Sequence, residues 1–189
     1  MSDQARGREG PADYARDCVE CVVRGRAVPT ASGEPLYARP AACFVSLKKD
    51  GQLRGCIGTL EPAEPHLGAE IARNARSAAF DDPRFAAVRT DELAALACSV
   101  DVLSASEPCA LDDLDPRVYG VIVAAGYRRG VLLPDLEGID TASEQVGIAL
   151  QKAGIRPAEQ FSVRRFTVTR YREGERDGHF PEETGEIDG

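Results

Sequence analysis

The sequence predicts an α+β fold, with mostly antiparallel sheets and flanking helices, from three observations. The β-prone runs come in adjacent pairs around tight turns. Helical patterns fall between those pairs, not between every two strands, which argues against a doubly wound parallel sheet. The chain has 189 residues, 43% of them hydrophobic, enough to build a core in one domain or in two small lobes.

Each element has a local reason. From Ala12 to about Arg24, apolar residues recur at Tyr14, Cys18, Cys21 and Val22, the spacing of a helix. Ala42 to Leu60 reads as a hairpin, because ACFVSLK and QLRGCIGTL flank Asp50-Gly51, a strong two-residue turn signal. With that turn, Lys49 faces Gln52, Leu47 faces Arg54, Val45 faces Cys56 and Cys43 faces Gly58. Opposed residues share a face. Arg54, Cys56 and Gly58 are therefore expected on the face of Cys43, Val45 and Leu47, and a slip of one residue would reverse that. Glu64 to Phe80 reads as a helix with Pro65 in its first turn and Leu67, Ile71, Ala75 and Ala78 on one stripe. The loop DDPRF follows.

Thr90 is expected to cap a short helix running to Leu96, with Asp91 and Glu92 at its positive end. SVDVL, around 99–103, alternates as a strand. YGVIVAA and GVLLP make two more around a turn at Gly126. Thr141 and Glu144 form a capping box and Gly154 a helix stop, so a helix spans about 142–153. FSVRRFTVTRY, residues 161–171, is the last strand.

Net charge is −8 but unevenly placed. Residues 172–189 hold seven acids and two bases, and 1–10 sum to zero. Both read as disordered tails around a domain of residues 11–171. That body lacks the clustered Lys/Arg surplus of a nucleic-acid binder. No apolar run nears the roughly 20 residues of a membrane span. MSDQARGREG has no signal-peptide stretch, so a cytoplasmic protein that makes no membrane contact is expected.

Six cysteines stand at 18, 21, 43, 56, 98 and 109. Without a secretory segment they do not suggest a disulfide framework. Cys18 and Cys21 form a C-x-x-C, but no second half-site accompanies it, and the only histidines are His66 and His179. No metal and no cofactor are expected. Walker, G-x-G-x-x-G, EF-hand and H-E-x-x-H patterns are missing.

LRGCIGTL, residues 53–60, is unusual for a strand. Glycine inside a strand marks a bulge or a close approach by backbone or ligand. Cys56 stands between Gly55 and Gly58, with Arg54 two residues away, and a nearby arginine favours thiolate. That combination suits a nucleophile or an anion pocket. Alternatively, Cys56 is a small core residue opposite Val45. Cysteine catalysis also calls for a base, and nothing in the sequence places His66 near Cys56. Asp82 and Arg84 of DPRF read either as a functional pair on a loop or as turn residues.

LRGCIGTL, DPRF about 20 residues later, the SVDVL strand and the G-x-LLP strand together resemble the AMMECR family. That family is named for a human chromosomal region tied to Alport syndrome, midface hypoplasia and elliptocytosis. Its prokaryotic members are called AmmeMemoRadiSam system protein A. The resemblance covers residues 11–171 and carries over Arg54, Gly55, Cys56, Ile57, Gly58, Thr59, Asp82, Pro83, Arg84, Phe85 and Pro134. It implies two sub-domains with a groove between them near LRGCIGT. Arg54, Gly55, Gly58, Thr59, Asp82 and Arg84 would be groove residues, with Cys56 the candidate catalytic one. It also implies a setting alongside a radical SAM enzyme and a Memo-like protein, but no defined activity. The family usually has glutamate where Ser99 stands here, with Asp101 inside the strand, and often glutamine where Asp135 stands.

Three functions follow as expectations. The first is an accessory or substrate-handling protein working with those two partners. The second is a cysteine-dependent enzyme on a small anionic or acyl substrate, with Cys56 as nucleophile and Arg54 binding charge. A nucleic-acid module fits the acidic balance worst.

Overall fold

The structure is a computed structural model and describes residues 10–31 and 33–175. It contains helices and two four-stranded sheets, an α+β fold. In chain order the elements are α1 (Pro11–Val23), α2 (Pro35–Ala38), β1 (Cys43–Lys49), β2 (Gln52–Gly58), α3 (Leu67–Phe80), β3 (Leu96–Leu103), β4 (Glu107–Pro108), β5 (Gly120–Ala125), β6 (Arg128–Leu132), α4 (Ala142–Ala153), β7 (Ser162–Phe166) and β8 (Val168–Arg172). Short 3-10 turns stand at Thr90–Ala95 and Leu111–Asp113. The chain divides into two compact units: residues 10–103 with 170–175, and residues 104–169.

The first unit is built on the sheet β2-β1-β3-β8. Alternation along β1 sends Cys43, Val45 and Leu47 into the core, all fully buried. α1 and α3 cover that face. Val19 of α1, Leu67 and Ile71 of α3 and Val100 of β3 complete the core. The expected stripe of α1 is present: Cys18 is fully buried and Cys21 half-buried, so the C-x-x-C lies along a packed helix face. Asp50 and Gly51 both adopt positive φ, 51° and 78°, the turn geometry that tightens a hairpin.

In the second unit, α4 packs on β5 and β6 of the sheet β4-β7-β5-β6. Val121, Val123, Leu132, Val146, Ala149 and Leu150 form its core. The capping box of α4 is complete: the Thr141 hydroxyl accepts from Glu144 N and the Glu144 carboxylate accepts from Thr141 N. Gly154 ends the helix at φ 64°.

Five expectations need correction. The hairpin register holds only next to the turn, because β2 carries an extra residue at Arg54. Lys48 pairs with Leu53, but Leu47 pairs with Gly55 and Ser46 with Cys56. α3 begins at Leu67 rather than Glu64, because the His66 side chain caps it by accepting from Ala69 N at 3.1 Å. Arg89, not Thr90, precedes the 3-10 turn, and its N–H donates to the Glu92 carboxylate. The last strand breaks at Thr167: β7 joins the second sheet and β8 the first. Finally, the body runs past 171. Glu173 accepts from Cys98 N and Gly174 N donates to Asp13, so residues to 175 are held in place. The remainder of both expected tails, His179 included, lies outside the described residues.

Candidate functional site

The extra residue at Arg54 decides the geometry of the LRGCIGT segment. Beyond it, every side chain of β2 changes face relative to the regular register. Gly55 and Ile57 now oppose Leu47 and Val45 on the core side. Cys56 and Gly58 oppose Ser46 and Phe44 on the outer side, so the expected placement of Arg54, Cys56 and Gly58 with Cys43, Val45 and Leu47 is overturned. Gly55 is required by close packing. A Cβ there would lie 2.2 Å from the Ala78 carbonyl oxygen of α3. At Gly58 a Cβ would meet the Phe44 ring at 2.3 Å.

β2 is an edge strand, so the outward backbone groups of Cys56 need partners from elsewhere. The DPRF loop supplies both. Cys56 N donates to Asp82 Oδ2 at 2.8 Å, and Arg84 Nη2 donates to the Cys56 carbonyl at 3.2 Å. Arg84 also grips the same carboxylate, Nε to Oδ1 at 3.0 Å and Nη2 to Oδ2 at 2.8 Å. Asp82 is 4% exposed. The Arg84 guanidinium, assisted by the Cys56 and Arg84 N–H groups, holds its carboxyl well below the usual carboxylate range, against the opposing effect of burial. Two side chains thus stand in for a fifth strand at one residue, and that residue is Cys56.

The Cys56 side chain is half-buried, and its Sγ accepts from Ser46 Oγ at 3.2 Å. The other thiols differ. Burial pushes Cys18 and Cys43 up to about 12 and raises Cys98 as well.

Arg54 leaves the strand at the bulge and pairs with Glu92: Nε to Oε1 at 3.0 Å and Nη2 to Oε2 at 2.9 Å. Lys49 Nζ and Arg89 N approach the same carboxylate at 3.3 and 3.0 Å. Arg54 above all, then the Arg89 N–H, lowers the Glu92 carboxyl from 4.5 to about 2. Both side chains are mostly buried, 15% and 14% exposed. The hydrogen bonds of Arg54 go to Glu92 and to the Ala87 carbonyl.

Thr59 ends the segment. Its N donates to the Cys43 carbonyl at 3.0 Å and its hydroxyl to Glu70 Oε1 at 2.5 Å. Glu70 is fully buried, and its second oxygen accepts from Ala63 N and Glu64 N, each at 2.8 Å. This carboxylate pins the chain as it leaves β2.

The structure therefore brings Cys56, Asp82 and Arg84 together and joins Arg54 and Thr59 to acids of their own. Ser46 and Glu70 were not singled out by the sequence, though Glu70 left a trace, an acid on the helix stripe of Leu67, Ile71 and Ala75. Glu92 was expected as an acid at the start of a short helix, not as the partner of Arg54. His66, the histidine considered as a base, has its Nδ1 engaged in capping α3. Pro134, buried, and Asp135 lie in the second unit, where Asp135 N donates to the Pro116 carbonyl at 2.9 Å. Among the described residues no group of three or more His, Cys, Asp or Glu is placed to hold a metal ion, and no helix is long and apolar enough to cross a membrane.

Comparison with known proteins agrees with this architecture. The profile of the AMMECR1 family matches residues 12–175. A protein of Thermotoga maritima is 52% identical over 142 residues, covering 74% of this chain and 82% of its own length. One of Clostridium acetobutylicum is 51% identical over 130 residues, covering 69% of this chain but 28% of its own length. One of Methanosarcina acetivorans is 33% identical over 199 residues, covering 97% of this chain and 99% of its own. The crystal structure of an uncharacterised protein from Pyrococcus horikoshii superposes with a TM-score of 0.76 at 27% identity, over 90% of this chain and 91% of that one. The family profile takes in most of both units, and the chain belongs to the AMMECR1 family.

Proposed function

We propose that this protein is an accessory or substrate-handling component that works with a radical SAM enzyme and a Memo-like partner in the cytoplasm. It presents to them the face around the LRGCIGT motif. One observation carries this reading: the charged groups gathered at residue 56 hold backbone and one another. Asp82 takes the Cys56 N–H, Arg84 takes its carbonyl, and Glu92 takes Arg54. The result is a fixed strand edge with an outward thiol, which suits recognition better than acid–base chemistry. Affinity purification from the native organism under reducing, anaerobic conditions tests it. Enrichment of a radical SAM enzyme and a Memo-like protein, kept by Cys56→Ser, supports the reading; enrichment of neither contradicts it.

A second reading, a cysteine-dependent enzyme on a small anionic or acyl substrate, is favoured by the hydroxyl that Ser46 directs at Cys56 Sγ. It requires that Cys56→Ser abolish a partner-dependent activity while the protein stays folded and still captures its partners.

A further inference from the structure

The outer face of the first sheet holds a cavity of about 450 Å³, within the size range of small-molecule sites. Alternation dictates its lining. Val45 and Leu47 point into the core, so Ser46 and Lys48 of β1 point the other way. Ser46 pairs with Ser99 of β3, and Asp101 lies two residues further along that strand. Arg170 and Arg172 of β8 close the side. All of these residues belong to the first unit. Ser46, on the floor, is the residue that touches the Cys56 thiol.

The chemistry left open in this cavity is one-sided. Both of its acids are engaged. Asp101 receives two hydrogen bonds from Arg170, at 2.6 and 2.8 Å. Glu173 accepts the Cys98 N–H at 2.5 Å. Among the described residues the Lys48 ammonium has no ion-pair partner and the Ser99 hydroxyl no hydrogen-bond partner, and Arg172 meets Glu175 only at 3.9 Å. The lining thus sets three cations, Lys48, Arg170 and Arg172, against two acids, Asp101 and Glu173, a surplus of one positive charge.

We infer that this cavity binds a small molecule bearing a carboxylate or phosphate group, with Lys48 and Arg172 meeting the charge and Ser46 and Ser99 beneath it. A lysine provides the point charge that such oxyanions favour, and the Ser99 hydroxyl can donate to one of their oxygens, while the Ser46 proton is given to Cys56 Sγ. Arg170 offsets the charge of Asp101, and Lys48 and Arg172 together outweigh the one remaining carboxylate, Glu173. The inference goes beyond the proposed role, which involves partner proteins and needs no ligand in this cavity. Either can fail without the other.

The test is an amide NMR titration of the full chain with inorganic phosphate and, separately, with succinate, at matched ionic strength. Saturable shifts at Ser46, Lys48 and Ser99 are expected with at least one of the two anions, and the anion that binds names the group recognised. Lys48→Gln is expected to weaken binding about three- to five-fold, the scale of one exposed charge contact. Ser99→Ala, which alters no charge, is a second variant expected to weaken it. Lys152→Gln, on the exposed side of α4, is expected to leave it unchanged. No saturable shift with either anion, or equal weakening by Lys48→Gln and Lys152→Gln, overturns the inference.

Discussion

Replacing Asp82 by asparagine removes the charge that holds residue 56 and changes little else. The carboxylate accepts four contacts: from Cys56 N, from Arg84 N, and from Arg84 Nε and Nη2. An amide keeps one acceptor oxygen. It turns its NH2 toward N–H groups on the other side, so at least one buried donor loses its partner. Hydrogen bonds to a charged group contribute about 1.5–3 kcal/mol, against about 1 for neutral ones. The expected loss is about 2 kcal/mol, or about 4–8 °C in Tm for a chain of this size. The pH dependence separates this cause from a general packing defect. The folded-state pKa of Asp82 is depressed, so its stabilisation is complete above the unfolded value of about 3.9 and is lost as pH falls below it. Urea unfolding at pH 7 and at successively lower pH measures the gap between the parent and Asp82→Asn. The gap is expected to be full at pH 7 and to narrow steadily below pH 4. A gap under about 0.5 kcal/mol at pH 7, inside the range of ordinary surface substitutions, or one that does not change with acid, would refute the clamp.

Gly55→Ala and Gly58→Val are each expected to cost about 1–3 kcal/mol, because the new atoms press on the Ala78 carbonyl and on the Phe44 ring; parent-like melting of either would show that its strand position tolerates a side chain. Arg54→Ala leaves the Glu92 carboxylate with Lys49 and one backbone N–H, at a cost of about 2 kcal/mol, the scale of hydrogen bonds to a charged group. In that variant a carboxyl NMR titration is expected to move the Glu92 midpoint from about 2 back toward 4.5. Since a depressed folded pKa stabilises above 4.5 and fails as pH falls toward 2, the variant is expected to lose this part of the acid sensitivity.

The parts of this fold legible in the sequence are those set by neighbours in the chain. Asp50-Gly51, the Thr141–Glu144 box and Gly154 each act over a few residues, and each stands where its chemistry places it. The register of the hairpin beyond the turn was not legible, because the bulge at Arg54 answers to distant groups. Ala78 of α3 needs the glycine at 55 against it, and Glu92 draws Arg54 out of the strand from 38 residues away. The glycines did announce an irregular strand; which residue was extra depended on packing that no local pattern records. Asp82 and Arg84 were visible as a pair, but not that their target is the backbone of residue 56. The last strand reads as continuous from FSVRRFTVTRY, since β-propensity does not register that its two halves pair in different sheets.

Timed iodoacetamide labelling of the native protein, with each cysteine quantified by mass spectrometry, tests most directly whether residue 56 is held by its backbone while its thiol stays accessible. Cys18, Cys43 and Cys98 are buried and serve as internal standards for a closed thiol. Cys56 is expected to label well ahead of these three under native conditions, and all four together once the chain is unfolded. Native labelling of Cys56 no faster than Cys18, Cys43 and Cys98 would contradict an outward thiol on the clamped edge, and with it the site.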